Sequence, residues 1–364
     1  MRLCIITCYN QPDYVRAVTL RAAARGIEGV EVVVVKNRRT GLLRYGEVLL
    51  KVLRARLHDK PDAYLLTFRG YEMLLPVRLL TLGRPLMYDE FINPIEWAVY
   101  EHRKLSPRNP LTWLLKALYL LLLKSVSLIL TDTKSHADLS ADMMKIPRDK
   151  FLDIPVGTDE TTFRPTEPED SEAEYFTLLY YGNMLPLHGV SQVFDAAVKL
   201  KGEKVRFVVV GGKAKVAHAA AEAVAKGANV DYKAWVEFDR LPKLMREADL
   251  CLAGPFGGTF QAEYVVTGKT FQYMAMGRPT VIGMNRESDA FTDRKDALIV
   301  RQGNADALAD TIRWATMHRD ELHAIGLAGQ ALYKKNYSTP QLTKRLKTAL
   351  ELVVTPQARP GADQ

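Results

Sequence analysis

The chain has 364 residues, of which 48% are hydrophobic and 25% charged, values that exclude disordered, collagen-like and coiled-coil proteins and predict about two folded domains. The formal net charge of +8 is uneven, since residues 1–165 carry 25 Lys and Arg against 18 Asp and Glu, whereas residues 166–364 carry 25 against 24. An anionic partner is therefore expected on the first half of the chain.

Short runs rich in Val, Ile and Leu alternate with longer helical patterns, which is typical of parallel sheets built from βαβ units. We predict strands at 3–7, 30–35, 63–68, 85–88 and 127–131, and, after the acidic segment 166–174, at 176–181, 205–210, 229–232, 250–253, 279–282 and 297–300. The sequence thus predicts two doubly wound, Rossmann-like α/β domains. We place them at 1–160 and 176–337, with an acidic linker at 161–175 and, in 338–364, a helix that packs back on the first domain and then a flexible tail.

The cysteines and the N-terminal residues bear on the cellular compartment. Cys4, Cys8 and Cys251 show no metal-ligand spacing, and unpaired thiols fit the reducing cytoplasm. The N-terminal apolar run is too short for a signal peptide and suits a buried first strand. We therefore expect a cytoplasmic protein.

The apolar segment 111–130 is interrupted by Lys116 and Lys124, with seven residues between them, so it falls short of the roughly 20 apolar residues that a membrane-spanning helix needs. Its leucines at 111, 114, 115, 118, 121 and 122 follow helical spacing, and basic residues flank the segment. Two interpretations stay open: the stripe is buried core, or it lies on an anionic membrane at the inner face. Nucleic acid is not expected as a partner, because the basic residues form no recognised module.

The segment YGNMLPLHGV, 181–190, predicts a strand that ends at Tyr181, a tight exit at Gly182 and a helix that begins near Gly189. Free amides in the first turn of a helix attract phosphate, and His188 just before that helix could add a donor. The alternative is an ordinary turn with a surface histidine.

The segment GKTFQYMAMGRPTVI, 268–282, predicts a helix that begins at Gly268 and ends at Gly277. Lys269 and Gln272 are three residues apart and share one face of its first turn, where a cation and an amide suit a diphosphate and a ribose edge. The alternatives are a solvated surface charge for Lys269 and a capping hydrogen bond for Gln272.

These two segments and IPVGTDETTFRP, 154–165, resemble in order and spacing the GT-B glycosyltransferases of family 4, most strongly over residues 126–335. The resemblance implies two Rossmann-like domains facing a cleft, and a retaining transfer of a sugar from a nucleotide-diphosphate sugar to a hydroxyl acceptor that is lipid-linked or a saccharide. It also implies that the second domain holds the donor and the first domain most of the acceptor.

Carried over to this sequence, the resemblance gives a set of donor-binding residues, with Gln272 at the position that binds ribose. The donor-binding predictions are Gly182, Asn183, His188, Gly189, Gly211, Lys269, Thr270 and Gln272. The chain departs from the family pattern where Asn183 replaces an Arg, His188 a Lys, Gln272 and Tyr264 two Glu residues, and Tyr88 a His. No Asp-x-Asp motif is present, so cationic side chains and helix amides, without a metal, are expected to bind the diphosphate.

Charged residues also follow the predicted strands of the first half. Asp89 and Arg69 of this half, together with His188 of the second half, are the predicted catalytic residues. Asp89, with Glu90, is expected to bind sugar hydroxyls or assist the acceptor, or else to cap a helix. Arg69 and Arg16 would face an anionic ligand or form surface salt bridges.

Asp132 and His136 follow the fifth predicted strand, where Asp132 equally fits a helix N-cap. Two other functions also fit the whole chain: a sugar-nucleotide epimerase of the same architecture, and a non-catalytic protein that binds a nucleotide sugar or a partner.

Overall fold

A computed structural model describes residues 1–165 and 174–354. The chain divides into two compact units, of which unit 1 comprises Met1–Gly157 with Thr339–Gln364, and unit 2 comprises Thr158–Ser338. Most of the predicted acidic linker and the predicted flexible tail lie outside the described residues.

Unit 1 contains a parallel sheet of six strands in the order β2-β1-β3-β4-β5-β6. The strands are β1 (Arg2–Thr7), β2 (Glu31–Lys36), β3 (Ala63–Leu66), β4 (Leu86–Asp89), β5 (Leu128–Thr131) and β6 (Phe151–Asp153). Five of them confirm the strands predicted from apolar runs. The sequence does not predict β6, because three residues with a terminal Asp are too short a run to recognise.

Helices cover both faces of this sheet. They are α1 (Val15–Arg25), α2 (Leu43–His58), α3 (Leu74–Leu80), α4 (Pro94–Glu96), α5 (Pro110–Ser125), α6 (Lys134–Met144) and the last helix of the chain, α13 (Thr339–Val354). Val52 of α2, Val77 of α3 and Leu123 of α5 share one core with the strands. Leu20 of α1 and Leu346 of α13 belong to the core on the other side.

Unit 2 repeats the architecture with a parallel sheet of six strands in the order β12-β11-β10-β7-β8-β9. Its strands are β7 (Phe176–Tyr181), β8 (Val205–Val210), β9 (Val230–Lys233), β10 (Leu250–Leu252), β11 (Thr280–Met284) and β12 (Leu298–Arg301). Its helices are α7 (Val190–Lys199), α8 (Ala214–Ala225), α9 (Leu241–Glu247), α10 (Gly268–Ala275), α11 (Ala305–Met317) and α12 (Arg319–Asn336). All six predicted strands are confirmed, and one core packs the α7 and α11 side of this sheet.

The helix α5 holds the leucine stripe that the sequence leaves open between core and surface. Leu111, Leu114, Leu115, Leu118 and Leu121 are all exposed, so most of the stripe is not core. None of the helices in the described ranges is long and apolar enough to pass through a bilayer.

Candidate functional site

The strand order of unit 2 reverses between β7 and β10, and open parallel sheets bind their ligands beyond the carboxyl ends of the strands at such a point. The two loops that leave these strands, 182–189 and 253–260, lie against each other. The Gly257 N–H donates to the Leu187 carbonyl at 3.0 Å. These loops form the base of the candidate site.

Two glycines allow the chain to approach itself closely here. Gly211, after β8, has φ 104°, and a Cβ at this position would lie 2.3 Å from the Gly182 carbonyl oxygen. Gly189, with φ 68°, is the N-cap of α7, and no side chain of the described ranges caps the first turn of that helix. The amides at the start of α7 are therefore left without a side-chain acceptor.

Lys269, on the first turn of α10, carries a buried cation. Its side chain is 6% exposed, and its Nζ lies 4.9 Å from the centre of the Tyr180 ring. Within the described residues this Nζ has no hydrogen-bond partner, and it lies 3.5 Å from the point where a Cβ on Gly182 would stand. Burial lowers the pKa of Lys269 to about 7. A buried ammonium without a partner is costly, so the predicted alternative of a solvated charge does not hold and the site suits an anion.

His188 lies beside Lys269 and the same glycine. Its Nδ1 is 3.6 Å from the Gly182 Cβ point and, in the part of the chain that the structure covers, makes no hydrogen bond. Burial, and then the charge of Lys269, lower the pKa of His188 well below its ordinary value. The imidazole is therefore neutral near neutral pH, and its N–H can donate to an anion.

Gln272 lies one turn further along α10 and is also buried. The Tyr181 hydroxyl donates to its side-chain oxygen, so the amide nitrogen is the end that faces away from Tyr181. Gln272 makes no cap at the start of α10. Tyr181 is not a predicted site residue, although its place at the end of β7 was a usable signal.

The remaining predicted donor residues differ in their exposure. Asn183 is exposed in the loop after β7. Thr270 is fully buried, and its hydroxyl lies 3.2 Å from that of Thr267. Thr270 thus lies within the start of α10, and its contact with the donor stays a prediction.

In unit 1, the strand order reverses between β1 and β3, and Arg69 lies in the loop that follows β3 at this point. Its backbone is left-handed, with φ 55°. The guanidinium donates to the Tyr71 hydroxyl at 3.0 Å and lies 5.6 Å from the centre of the Tyr9 ring. A partly exposed cation between aromatic rings therefore lies at the edge of this sheet where open parallel sheets bind ligands.

The predicted contact of Asp89 with an acceptor is corrected by its burial. Asp89 and Arg16 are both 0% exposed and form an ion pair at 2.7 Å. Asp89 also accepts from the Phe68 N–H at 3.1 Å. Arg16 donates further to backbone carbonyls, one of them Pro155 at 3.0 Å. The pair holds loops of unit 1 together, so Arg16 neither faces a ligand nor forms a surface salt bridge.

Glu90, Asp132 and His136 are buried in the same unit. Glu90 accepts from the hydroxyls of Tyr119 and Ser140. His136 Nδ1 lies 2.9 Å from Asp132.

Other residues make the helix caps that the sequence analysis considers for these acids. Asn93 caps α4, in place of Asp89 or Glu90. Thr133 caps α6, in place of Asp132.

Comparison with known proteins identifies the type of fold. Residues 175–317 match the family described as Glycosyl transferases group 1. No curated protein sequence matches the chain.

Solved structures match both units. Anabaena Alr3699/HepE, in complex with UDP-glucose, aligns with a TM-score of 0.72 at 14% identity over 96% of this chain and 99% of its own. Sucrose-phosphate synthase from Thermosynechococcus elongatus aligns with a TM-score of 0.70 at 13% identity, over 96% of this chain and 98% of its own. A Listeria monocytogenes protein named as a UDP-N-acetylglucosamine 2-epimerase aligns with a TM-score of 0.58 at 13% identity, over 96% of this chain and 95% of its own. The chain therefore has the GT-B fold, and its match to the group 1 family over residues 175–317 supports a glycosyltransferase.

Proposed function

We propose that the protein is a retaining glycosyltransferase that moves a sugar from a nucleoside diphosphate sugar to a hydroxyl acceptor, either a saccharide or a lipid-linked molecule. The observation that carries the proposal is the buried Nζ of Lys269 beside Gly182, which has no partner among the described residues and lies at the reversal of strand order. The family match over 175–317 and the UDP-glucose complex of HepE support this assignment.

The diphosphate is the anion that this site suits. The Lys269 ammonium would donate hydrogen bonds to the phosphates and stabilise their negative charge. The neutral His188 and the first amides of α7 would add N–H donors. Negative charge grows on the leaving diphosphate during transfer, so donors held in place before the reaction lower its barrier. Gln272, oriented by Tyr181, is the group for the ribose hydroxyls.

If the anomeric configuration is retained as proposed, the leaving phosphate also acts as the base. The leaving phosphate would take the proton of the acceptor hydroxyl on the face from which it departs. The chain then acts by positioning reactants and stabilising charge. Arg69, with Tyr9 and Tyr71, is the proposed acceptor contact of unit 1, since aromatic rings suit sugar faces and the guanidinium suits an anionic group.

The test is isothermal titration calorimetry of UDP, GDP and ADP and of their glucose conjugates. We expect one nucleotide series to bind, and Lys269→Met to weaken it roughly tenfold to a hundredfold, because a hydrogen bond to a charged group is worth ~1.5–3 kcal/mol. Lys226→Met changes an exposed lysine of the same unit and is the matched control. Absence of binding for every nucleotide would overturn the proposal.

An epimerase is the second candidate, because the Listeria protein shares the fold. Turnover separates the two activities. A glycosyltransferase releases nucleoside diphosphate in an acceptor-dependent manner and keeps the anomeric configuration of the donor, whereas an epimerase converts the sugar nucleotide with no acceptor present. NMR of the anomeric proton reads both outcomes. Nucleotide binding without either conversion would identify a non-catalytic binding protein.

A further inference from the structure

The helices α2, α3 and α5 of unit 1 present an apolar outer surface. They are neighbours in the fold, and their inner sides pack on one face of the sheet through residues such as Val52, Val77 and Leu123. Between residues 42 and 121, thirteen leucines and one tryptophan are exposed on these helices and at their ends. We call this surface the leucine face.

The exposure is large for single side chains and extends over all three helices. Leu50 on α2 is 70% exposed, Leu79 on α3 58% and Leu121 on α5 66%. Within each helix these residues lie opposite the buried positions, so no rotation of a helix would bury both sets. Contiguous apolar surfaces of this extent on a folded protein mark sites of interaction.

The charged residues on the three helices of the leucine face are almost all basic. The three helices carry seven Lys and Arg and a single acidic residue, Glu47, which is paired with Lys51 at 2.6 Å. The segment 102–108, just before α5, adds three exposed basic residues, Arg103, Lys104 and Arg108.

The two units also differ in net charge, and the unit with the leucine face is the more basic one. Unit 1 has 28 Lys and Arg against 18 Asp and Glu, a net charge of +10, while unit 2 has 22 against 24, a net charge of −2. Long-range attraction to an anionic surface would therefore act on the unit that carries the leucine face.

We propose that the leucine face binds an anionic lipid bilayer, with α2, α3 and α5 lying in the interface and their leucines in the outer part of the acyl region. Leucine-rich helical surfaces with Lys and Arg and almost no acid have the composition of interfacial membrane helices. The basic side chains would reach the anionic headgroups while their stems lie along the apolar surface.

The same charges disfavour a second copy of this chain as the occupant. A two-fold dimer through the leucine face would bring two basic surfaces together, and like charges across an interface cost binding energy. An anionic membrane instead neutralises them. The face is thus complementary to anionic lipid in both its apolar and its charged parts.

The experiment is sedimentation of the full chain with vesicles of phosphatidylcholine alone or of equal parts phosphatidylcholine and phosphatidylglycerol, without any nucleotide. We expect binding to the mixed vesicles and about a hundredfold lower partitioning of the triple variant Leu50→Gln, Leu79→Gln and Leu121→Gln, because binding scales with the apolar area buried. The control replaces exposed apolar residues elsewhere: Met317→Gln, Leu327→Gln and Leu352→Gln. All six positions are on the surface, and circular dichroism verifies the fold of both variants.

A second variant tests the electrostatic part: Arg54→Gln, Lys116→Gln and Lys124→Gln should lower binding to the mixed vesicles by roughly tenfold, because each basic residue near an anionic surface adds attraction. Equal binding of the leucine variant and the unmodified chain would overturn the proposal, as would absence of binding to the mixed vesicles. A dimer in sedimentation equilibrium that the leucine variant abolishes would instead assign the face to a second copy. Nucleotide titration of the leucine variant should match that of the unmodified chain, which separates this proposal from the proposed function.

Discussion

Two sets of buried charged groups, one in each unit, differ in whether they have partners. In unit 1, Arg16 and Asp89 pair with each other, and both make further hydrogen bonds to the backbone. In unit 2, among the residues described, Lys269 Nζ and His188 Nδ1 are buried with no partner. For these groups the state of the hydrogen bonds, and not burial alone, separates the structural pair from the candidate binding groups.

The energetic reason lies in what each arrangement costs the folded chain. A buried ion pair with satisfied hydrogen bonds roughly balances its desolvation, while a lone buried ammonium does not. The folded chain limits that cost by lowering the pKa of Lys269 to about 7, so the side chain is often neutral until an anion arrives. The site of unit 2 thus gives up some stability that a bound anion would restore.

The largest expected effect breaks the pair of unit 1. Asp89→Ala should lower the free energy of unfolding by ~3–5 kcal/mol, because Arg16 stays buried without its counter-charge. Urea denaturation measures the change. Asp138→Ala removes an exposed partner of Arg148 and should cost less than about 1 kcal/mol. Similar losses for the two variants would contradict the structural role of Asp89.

The next effect concerns the lone ammonium of unit 2. The folded pKa of Lys269 lies near 7, below the unfolded value of about 10.4, so above pH 7 the unfolded chain binds more protons. The free energy of unfolding should therefore rise with pH, relative to Lys269→Met, by up to about 1.4 kcal/mol per pH unit between about pH 7 and pH 9. Denaturant curves at several pH values give the slope. Parallel pH profiles of the two proteins would refute this role of Lys269.

Two histidines, the buried His136 and the half-buried His188, should respond to pH in opposite directions. Burial lowers the pKa of His136, but the nearby carboxylates of Asp132, at 2.9 Å, and Glu96, at 3.4 Å, outweigh burial and raise it well above the ordinary value. Its contribution is full below the unfolded pKa of about 6.5 and is lost as pH rises through the folded value. His188 has a lowered pKa, so the wild type should lose stability as pH falls below about 6.5, by up to ~1.4 kcal/mol per unit.

Comparison of His136→Gln and His188→Gln with the wild type between about pH 5.5 and pH 7.5 measures both signs. His136→Gln should be most destabilising at the acid end. His188→Gln should be relatively most favourable there. Equal pH trends for the two variants would remove the contrast between paired and unpaired groups.

The smallest expected effect concerns the orientation of Gln272. Tyr181→Phe removes the hydroxyl that donates to Gln272 and should weaken nucleotide binding two- to tenfold, the equivalent of a hydrogen bond of ~0.5–1.5 kcal/mol. Tyr333→Phe is the control, since that hydroxyl bonds Glu160 at 2.9 Å. Calorimetry should find its affinity unchanged, and an equal loss for both variants would point to general loosening of unit 2.

Apolar runs predict eleven of the twelve strands in the described part of the chain, because a strand buried on both faces has a composition that a short window can recognise. The strand β6 has only three residues, which is too short for such a window to recognise. The nearby residues of the candidate site, Lys269 and His188, were also found from sequence, since each lies beside a helix start that follows a recognisable strand.

Long-range contacts were not predictable in this way. Arg16 and Asp89 are 73 residues apart, and no local pattern indicates that they pair. Tyr181 meets Gln272 across 91 residues. The leucine stripe of α5 shows a different limit, because helical spacing is the same for a stripe that faces a core and one that faces outward.

The helix α13 packs on α1, so unit 1 is built from both ends of the chain while unit 2 is one continuous segment. During synthesis, the ribosome delivers α13 only after all of unit 2 has emerged. Until then, apolar residues such as Leu20 of α1 lack their cover from Leu346. Unit 2 can therefore complete its fold on the nascent chain, whereas the core of unit 1 between α1 and α13 is completed last.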